Sequence, residues 1–411
     1  MTRLTPTIEE IVTRQRTGFS LESELYCDPR AHQLDLEAVW FKHWLYAGHA
    51  VQIPKPGDYF LYEIGNESVI IVRGDDNQVR AFANVCRHRG SRLCTEEAGC
   101  VKRIVCPYHQ WVYDRDGTLL SAKLMDQGFE TKGYGLRPVH LRALPGGFLF
   151  VCFAGEPPPF DDFAEKVAPH LACYDLGNLM VGATARYTVR ANWKLMAENF
   201  RECYHCGVGH PEYCQIIPGS NMTGDTKRAS EYKQAKLREW AAKGVPTQSI
   251  NFDPGVYRYC ERYPYGENCV TMSLDGKPVA APILSAKDRA VGDIGAFSIV
   301  QYPNFWLDIN PDYAWTMRIT PLAADTCDVS LHWLVRAGQE AERDFDVARL
   351  MAFWKTTGEQ DWKLCEDTQA GVKSRFYQPF PYAAVDSGPS QFEAWYLAEA
   401  RKYLSENPSH S

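Results

Sequence analysis

The chain has 411 residues, of which 45% are hydrophobic and 23% are charged, a composition typical of a globular protein with about two or three domains. Its formal net charge of -7 argues against nucleic acid as a main partner, because phosphate binding requires a basic surface. No apolar run reaches the roughly 18 residues of a membrane helix, and the first residues lack the apolar core of a signal peptide. We therefore expect a cytoplasmic protein with no membrane segment.

Residues 1–40 predict a helical segment. In "TPTIEEIVTRQ", Thr7 is a candidate N-cap, and Glu9 and Glu10 would lie in the first turn of the helix. We expect this segment to pack against the large C-terminal domain.

Residues 41–155 predict a small all-β domain. Short runs of alternating apolar residues, such as "YFLYEIG", "SVIIVRG" and "FLFVCFAG", predict strands. Turn sequences such as "PKPGD" and "DRDGT" separate them. The proline-rich "GEPPPFDDF" that follows predicts a linker out of the domain.

Two Cys–His pairs lie inside this β domain. One residue separates Cys86 from His88, two separate Cys106 from His109, and seventeen lie between the pairs. Two thiolates and two imidazoles can hold one zinc ion, or a 2Fe-2S cluster with cysteines on one iron and histidines on the other. Each short loop offers one ligand of each kind, which favours two loops that clasp a dinuclear cluster. Most of the other cysteines are expected to be reduced thiols.

Residues 156–411 mix helices with strands and predict a larger α+β domain. "NWKLMAENFRECYHC" places Trp193, Met196, Ala197 and Phe200 at helical spacing. Strand patterns in "AFSIVQYPNFWLDIN", "YAWTMRITPL" and "TCDVSLHWLVRA" predict an antiparallel sheet. A long helix over "RDFDVARLMAFWKTTGEQDWKLCEDTQAGV" is expected to pack against that sheet.

A second candidate metal site lies in "ANWKLMAENFRECYHCGVGHPE". His205 and His210 are five residues apart, and on an unbroken α-helix their imidazoles would diverge by about 140°. Gly207 and Gly209 are expected to loosen the backbone and bring both imidazoles to one metal. Two histidines and one carboxylate with open positions are typical of a mononuclear non-haem iron that activates O₂.

The Cys–His motif and its surroundings resemble the Rieske domain of ring-hydroxylating oxygenase α-subunits. "FKHWLYAGHAVQIPKPGDYF", "AFANVCRHRGSRL" and "CPYHQWVYDRDGTL" carry the resemblance, which extends over nearly the whole chain. It implies a Rieske 2Fe-2S cluster held by Cys86, His88, Cys106 and His109, and a catalytic mononuclear iron domain of helix-grip type. Gln110 departs from the pattern, since that family commonly has glycine there.

The resemblance also implies the third iron ligand. It assigns this role to Asp361, in "TTGEQDWKLCEDTQAG" on the C-terminal helix. The nearby Glu359, Glu366 and Asp367 remain alternatives.

Glu202 matches an acidic residue that passes electrons between subunits in that family, where it is usually aspartate. It lies three residues before His205, on the same face of the expected helix. Its partner would be the cluster ligand His109 of a neighbouring subunit. The resemblance therefore implies a homotrimer in which each cluster faces the iron of the next subunit.

Within that family, "ENFRECYHCGVGHPE" is most similar to the oxygenases of quaternary ammonium compounds. It implies an O₂-dependent monooxygenase that demethylates a betaine, with proline betaine (stachydrine) as the expected substrate and formaldehyde as a product. No G-x-G-x-x-G follows a strand, so electrons from NAD(P)H are expected to come through a separate reductase of the flavin or ferredoxin type. The alternatives are an aromatic-ring dioxygenase, a monooxygenase of glycine betaine, choline or carnitine, and a non-catalytic electron-transfer or zinc-binding protein.

Aromatic residues offer a site for such a cation, because quaternary ammonium groups are held by aromatic faces. The segments "VYRYCERYPYG" and "YPNFWLDI" are rich in them, and Tyr257, Tyr259 and Phe305 are the candidate substrate-binding residues. Arg258 or Arg262 could meet a substrate carboxylate, but a surface salt bridge is the expected role of each.

Overall fold

The computed structural model describes residues 6–250 and 258–408. The chain divides into two compact units, with boundaries after Lys42 and after Phe160. The unit between these boundaries contains both Cys–His pairs, and the other unit joins the N-terminal segment to the part of the chain after Phe160. Sequence analysis places the boundaries after residues 40 and 155.

Three helices open the larger unit: α1, Ile8–Arg14; α2, Ser23–Cys27; and α3, Pro29–Asp35, followed by a π-helical turn, Leu36–Trp40. Thr7 caps α1 as predicted, because its hydroxyl accepts the Glu10 N–H at 3.2 Å. At the end of α3, the fully buried Asp35 accepts hydrogen bonds from Trp193 Nε1 at 2.8 Å and from Lys194. This buried ion pair connects the N-terminal segment to the rest of its unit.

The smaller unit is built from ten short strands. They are β1, Leu45–His49; β2, Asp58–Ile64; β3, Glu67–Arg73; β4, Val79–Ala83; β5, Ala98–Cys100; β6, Ile104–Val105; β7, Val112–Tyr113; β8, Leu119–Ser121; β9, His140–Leu144; and β10, Phe148–Cys152. Their sheets have the orders β1-β10-β9, β4-β3-β2-β5 and β6-β7-β8. The first Cys–His loop follows β4, and the second connects β6 with β7. The all-β character predicted for this region is therefore present.

The larger unit continues after Phe160 with helices and six strands. They are α4, Asp161–Leu171; β11, Leu179–Val189; α5, Trp193–Asn199; α6, Cys206–Gly209; α7, Pro211–Ile216; α8, Thr226–Ala242; β12, Arg258–Tyr263; α9, Ala286–Val291; β13, Ala296–Gln301; β14, Phe305–Ile309; β15, Ala314–Ala323; β16, Thr326–Arg336; α10, Val347–Val372; and α11, Ser387–Glu406. None of the helices in the described ranges combines the length and hydropathy needed to cross a membrane.

The six strands form one antiparallel sheet in the order β11-β16-β15-β14-β13-β12. The long helix α10 packs on this sheet through β11. It begins at Val347, because the Asp346 side chain caps it by accepting the Arg349 N–H at 2.9 Å. The fold class is α+β, with an antiparallel sheet and helices, as predicted.

The helix before the two histidines is shorter than predicted. α5 ends at Asn199, and both Glu202 and His205 lie in the turns between α5 and α6. The Glu202 carboxylate accepts the backbone N–H groups of Tyr204 and of His205, the latter at 3.3 Å. A side chain that binds nearby N–H groups competes with helical backbone bonds. The prediction that Glu202 and His205 share a helical face is therefore wrong, although their side chains still meet.

Candidate metal centres

The two Cys–His loops of the smaller unit have the same backbone structure. In Cys86–Ser91 and in Cys106–Trp111, the cysteine N–H donates to the carbonyl of the last residue at 2.8 Å. The residue before the last returns a hydrogen bond to the cysteine carbonyl at 3.0 Å in both loops. The imidazoles of His88 and His109 meet edge to face, with ring centroids 4.5 Å apart. The structure thus brings the four predicted ligands together from two matched loops.

Gln110 adopts a backbone conformation that normally favours glycine. Its φ of 56° corresponds to the φ of 77° at Gly90, which occupies the equivalent position of the other loop. Both values lie in the left-handed region, where a side chain costs conformational energy. Gln110 therefore preserves the loop that a glycine would form, with some backbone strain.

The two thiols of this site have pKa values shifted in opposite directions, because burial raises the pKa of Cys86 whereas that of Cys106 is lowered. Cys86 and Cys106 are buried and interact with each other, and the Tyr113 hydroxyl lies 3.4 Å from Cys86 Sγ. Burial raises the pKa of the Cys106 thiol, but hydrogen bonds from the backbone N–H groups of His109 and Tyr108 outweigh burial and lower this pKa. These donors stabilise a thiolate, which is the form that binds metal. The donor set fits a 2Fe-2S cluster with two thiolate and two imidazole ligands.

In the larger unit, His205, His210 and Asp361 converge on one point. Their ligand atoms all lie within 4.8 Å of one another. Asp361 Oδ1 is 2.7 Å from His210 Nε2 and 3.3 Å from His205 Nε2, and the two Nε2 atoms are 3.1 Å apart. Two imidazoles and one carboxylate that leave other positions open are the ligand set of a mononuclear non-haem iron.

The outer nitrogens of both imidazoles have their own partners. His205 Nδ1 lies 2.5 Å from Glu202 Oε1, and His210 Nδ1 lies 2.8 Å from Gln360 Oε1. Gln360 in turn donates to Glu212 Oε2 at 3.3 Å. An acceptor at Nδ1 holds the proton there and leaves Nε2 available to a metal. The surroundings of the triad therefore orient both imidazoles for metal binding.

The protonation of the triad fits a cation site as well. Burial lowers the pKa of His205, but hydrogen bonds with Asp361 and Glu202 outweigh burial and raise this pKa to about 10. Burial also opposes protonation of His210, yet the Asp361 carboxylate raises its pKa. Burial raises the pKa of Asp361 itself, and the two imidazoles overcome that effect and lower it. A carboxylate that attracts protons to two imidazoles equally attracts a divalent cation, which replaces those protons on binding.

The alternatives to Asp361 have other partners. Glu359 accepts a hydrogen bond from the Tyr187 hydroxyl at 3.2 Å, and Glu366 accepts the Arg190 N–H at 3.0 Å. Asp367 forms an ion pair with Lys363. Of the four acidic residues considered, the structure brings Asp361 to the two histidines.

The two glycines between the histidines act differently from the prediction. Gly207 and Gly209 lie within α6, and neither has a left-handed φ. The His205 carbonyl accepts the Gly209 N–H at 2.8 Å, so one short helical turn carries the chain back to His210. A Cβ atom at Gly207 would lie only 2.7 Å from Asn221 Oδ1. A larger residue at Gly207 would therefore need the Asn221 side chain to shift, while the backbone conformation itself does not call for glycine.

A cavity of about 400 Å³ is lined in part by the triad. Its aromatic lining residues are Phe200, Tyr213, Tyr232, Tyr259, Tyr263, Trp306, Trp315 and Trp354. The rings of Trp315 and Trp354 stack with centroids 4.0 Å apart. The size and the aromatic walls suit a small organic molecule placed beside the metal ligands.

Of the three aromatic residues predicted to bind substrate, the structure places one in the cavity wall and one outside it. Tyr259 lines the cavity. Phe305 is fully buried elsewhere, whereas Trp306 and Asp308 of the same strand line the cavity. Because successive strand residues point to opposite faces, the prediction for Phe305 selects the correct strand and the wrong face. Tyr257 lies outside the described residues.

Neither predicted arginine lies on the surface. Arg258 and Arg262 are buried, and neither lines the cavity. Arg258 donates to Gln301 Oε1 at 3.2 Å, and Arg262 donates to the Ile294 carbonyl at 2.8 Å. The expectation of surface salt bridges is wrong for both, because their guanidinium groups satisfy acceptors inside the unit.

Several residues of the cavity wall are not among those predicted from the sequence. Trp354, Thr357 and Asp361 line the cavity from one face of α10. Once Asp361 is taken as a ligand, the helical spacing of three and four residues identifies the other two. Asp308 could have been found as the residue two positions after Trp306 on one strand. Trp315 carries no such local signal, since only strand pairing brings it to Asp308.

Two family models match this chain. Residues 43–138 match the Rieske 2Fe-2S domain, and residues 176–400 match the ring hydroxylating alpha subunit catalytic domain. The glycine betaine monooxygenase oxygenase subunit of Pseudomonas aeruginosa (strain UCBPP-PA14) is 36% identical over 398 residues, which cover 96% of this chain and 92% of that protein. The corresponding subunit of Chromohalobacter salexigens is 38% identical over 389 residues, covering 93% and 86%.

Solved structures show the same fold at lower identity. A crystal structure of the quaternary ammonium Rieske monooxygenase CntA with an inhibitor has a TM-score of 0.69 and 20% identity, covering 97% of this chain and 99% of that chain. Naphthalene 1,2-dioxygenase from Rhodococcus sp. has a TM-score of 0.68 and 16% identity, with the same coverage. Because the domain models and the nearly full-length relatives agree with both metal-ligand sets, the chain belongs to the Rieske non-haem iron oxygenases, enzymes with a Rieske 2Fe-2S cluster and a mononuclear catalytic iron.

Proposed function

We propose that this enzyme removes a methyl group from a betaine, with proline betaine (stachydrine) as its substrate. One atom of O₂ enters a C–H bond of an N-methyl group, while two electrons and two protons reduce the other atom to water. The resulting N-hydroxymethyl compound loses formaldehyde and leaves N-methylproline. The electrons come from NAD(P)H through a separate reductase.

The observation that carries this proposal is the similarity, over nearly the whole chain, to oxygenase subunits named for glycine betaine. Glycine betaine and proline betaine share a quaternary ammonium group and a carboxylate. The aromatic walls of the cavity support the same substrate class, because a quaternary ammonium group cannot donate a hydrogen bond and is attracted to aromatic faces. The volume of about 400 Å³ also suits a molecule of this size.

The ligand assignment is part of the proposal. The cluster is held by Cys86, His88, Cys106 and His109, and the catalytic iron by His205, His210 and Asp361. When bound, these irons supply stored electrons and the activation of O₂. The protein contributes the orientation of the ligands: Glu202 and Gln360 hold the outer nitrogens of the two imidazoles at 2.5 and 2.8 Å. The aromatic cavity excludes water from the N-methyl group and places this group next to the triad.

Glycine betaine is the second candidate substrate, because the relatives named above act on it by name and match almost end to end. An aromatic-ring dioxygenase has weaker support. The naphthalene 1,2-dioxygenase large component of Pseudomonas putida is 36% identical over 202 residues, which cover only 47% of this chain.

A coupled assay with a panel of betaines tests the function. The purified holoenzyme is mixed with NADH, a compatible flavin reductase and one of five compounds, and O₂ uptake is compared with formaldehyde release. The compounds are proline betaine, glycine betaine, carnitine, choline and naphthalene. We expect stoichiometric formaldehyde with proline betaine and less with the other compounds. Coupled uptake with naphthalene alone would overturn the demethylase function, and higher activity with glycine betaine would reassign the substrate.

A further inference from the structure

Asp308 is a buried carboxylate in the wall of the cavity that also contains the metal triad. It lies on β14, its residue is only 6% exposed, and it lines the cavity together with Asp361. On the sheet it pairs with Ser298 of β13 on one side and with Trp315 of β15 on the other. The mechanism of oxygen insertion and the metal ligands leave this carboxylate without a role.

The partners of Asp308 are neutral. The Tyr263 hydroxyl donates to Oδ1, and the Ser298 hydroxyl also binds the carboxylate. Among the described residues, no lysine or arginine forms an ion pair with Asp308, and none contributes to the shift of its pKa. Burial raises the pKa of Asp308 to about 6, against the effect of both hydroxyls. Because this pKa still lies below 7, the carboxylate is mostly ionised at neutral pH, and no basic side chain of the described residues pairs with it.

Glu261 provides a comparison within the same wall. It pairs with Ser298 from the opposite side, so that Glu261, Ser298 and Asp308 form one row across three strands, and it also lines the cavity. Unlike Asp308, Glu261 forms an ion pair with Lys233. The two carboxylates share a face of the sheet, but only Glu261 is neutralised by a basic side chain.

Aromatic faces lie next to Asp308. Trp315 is its cross-strand neighbour and stacks on Trp354 of α10. Trp354 and Asp361 are seven residues apart on one face of that helix, a separation of about 10 Å along its axis. The aromatic pair thus extends from the carboxylate toward the metal triad. A carboxylate combined with indole faces is a favourable environment for a cation that cannot donate hydrogen bonds.

We propose that Asp308 is the counter-charge that selects a quaternary ammonium substrate, with Trp315 and Trp354 as the aromatic surface beside it. This inference rests on the proposed function and assigns its specificity to a residue. The cation would lie between Asp308 and the triad, so that one of its methyl groups faces the iron ligands. A neutral molecule of the same shape would gain nothing from the carboxylate.

The test separates charge from shape. Proline betaine is compared with its carbon isostere 2,2-dimethylcyclopentanecarboxylate, in which a carbon atom replaces the charged nitrogen. Dissociation constants of both are measured by calorimetry on the wild-type holoenzyme and on Asp308→Asn. We expect the variant to bind proline betaine about tenfold or more weakly, because charge pairs in a desolvated site are strong, and to bind the isostere equally well or better.

Two further variants control for structure. Asp308→Glu restores the charge and is expected to recover much of the preference for the cation. Asp312→Asn removes a buried carboxylate that does not line the cavity, and it should leave the ratio of the two affinities unchanged. Equal weakening of both ligands in Asp308→Asn would show that Asp308 only supports the wall, and would overturn this inference. If the wild-type enzyme binds no betaine at all, the proposed function itself fails.

Discussion

The Glu202 carboxylate contacts the outer nitrogen of His205 and also binds backbone N–H groups of its own turn. It accepts the N–H groups of Tyr204 and His205 and also meets His205 Nδ1. The glutamate is thus held in place by its own turn and not by a helix. This arrangement leaves the role as a bridge to His109 of a neighbouring subunit as a prediction.

Glu202→Gln tests that role, because it keeps the size of the side chain and removes its charge. We expect the variant to retain its iron, since the three ligands are unchanged, and to slow electron delivery by about tenfold or more. The measurement is the rate at which the pre-reduced cluster regains its oxidised visible spectrum after mixing with O₂ and substrate. An unaltered rate at full iron content would contradict the bridge.

Glu212→Gln is the matched control. Glu212 binds Gln360, which holds the outer nitrogen of His210. Glu212 is thus one hydrogen bond farther from the iron ligands than Glu202, and it has no place in the proposed path of electrons. A similar loss of rate in Glu202→Gln and Glu212→Gln would mean that any hydrogen bond around the iron ligands affects electron delivery. The bridge would then have no support.

Gln110 and Gly90 allow a reciprocal exchange, since both occupy the left-handed position of their loops. Gln110→Gly should raise the free energy of unfolding of the smaller unit by about 1 kcal/mol, because the strain of a side chain in this region is removed. Gly90→Gln should lower it by a similar amount, although a Cβ atom there would meet nothing within 4 Å. The measurement is the urea midpoint for loss of cluster absorbance in the full-length holoenzyme. Equal urea midpoints in the wild type and both variants would show that the left-handed backbone at Gln110 carries no strain.

At the scale of elements, α2, α5 and α11 share a buried acidic cluster. The Tyr26 hydroxyl of α2 lies 2.9 Å from Glu198 Oε1 of α5 and 3.4 Å from Glu393 Oε1 of α11. Tyr382 also donates to Glu393. Burial raises the pKa of Glu198 to about 8 and the pKa of Glu393 to about 9. The folded protein therefore retains protons on this pair that the unfolded chain releases near 4.5, the ordinary glutamate value.

This cluster makes stability depend on pH in a defined direction. Since the folded-state pKa values are raised, the stabilisation is complete below about pH 4.5 and is lost as the pH rises toward 9. We expect the thermal midpoint to fall by several degrees between about pH 6 and pH 9. In Glu393→Gln, the side chain at position 393 stays neutral, and the fall should be smaller because only Glu198 still titrates. A wild-type midpoint that is flat or rises over this range would contradict the assignment.

At the scale of the whole molecule, the two metal-ligand sets lie in separate compact units of one chain. The proposed homotrimer would let the cluster of one subunit serve the iron of the next. We predict a mass in solution of about 140 kDa, three times the 46.6 kDa of the chain. Light scattering coupled to size exclusion measures this directly, and a monomer with full activity would exclude electron transfer between subunits.

Much of this protein could be predicted from its sequence, and the reason is locality. The Cys–His pairs and the two histidines of the second site lie within segments of a few residues, so their spacing restricts their distances whatever the remaining chain does. Alternating strands and the long helix α10 were recognisable for the same reason, because side-chain periodicity follows from backbone geometry. These local patterns already determined the α+β class and the identity of six of the proposed ligands.

The tertiary structure decided what depends on distant contacts. Asp361 reaches His210 across 151 positions of sequence, and the Tyr263 hydroxyl reaches Asp308 across 45. The face on which Phe305 lies, and the end of α5 before Glu202, also depend on how the sheet, the turns and α10 pack together. Such packing sums many weak contacts between remote residues, none of which leaves a local pattern in the chain. The sequence by itself therefore determined which chemistry the protein carries, and the tertiary structure decided which side chains form the third ligand and the wall of the cavity.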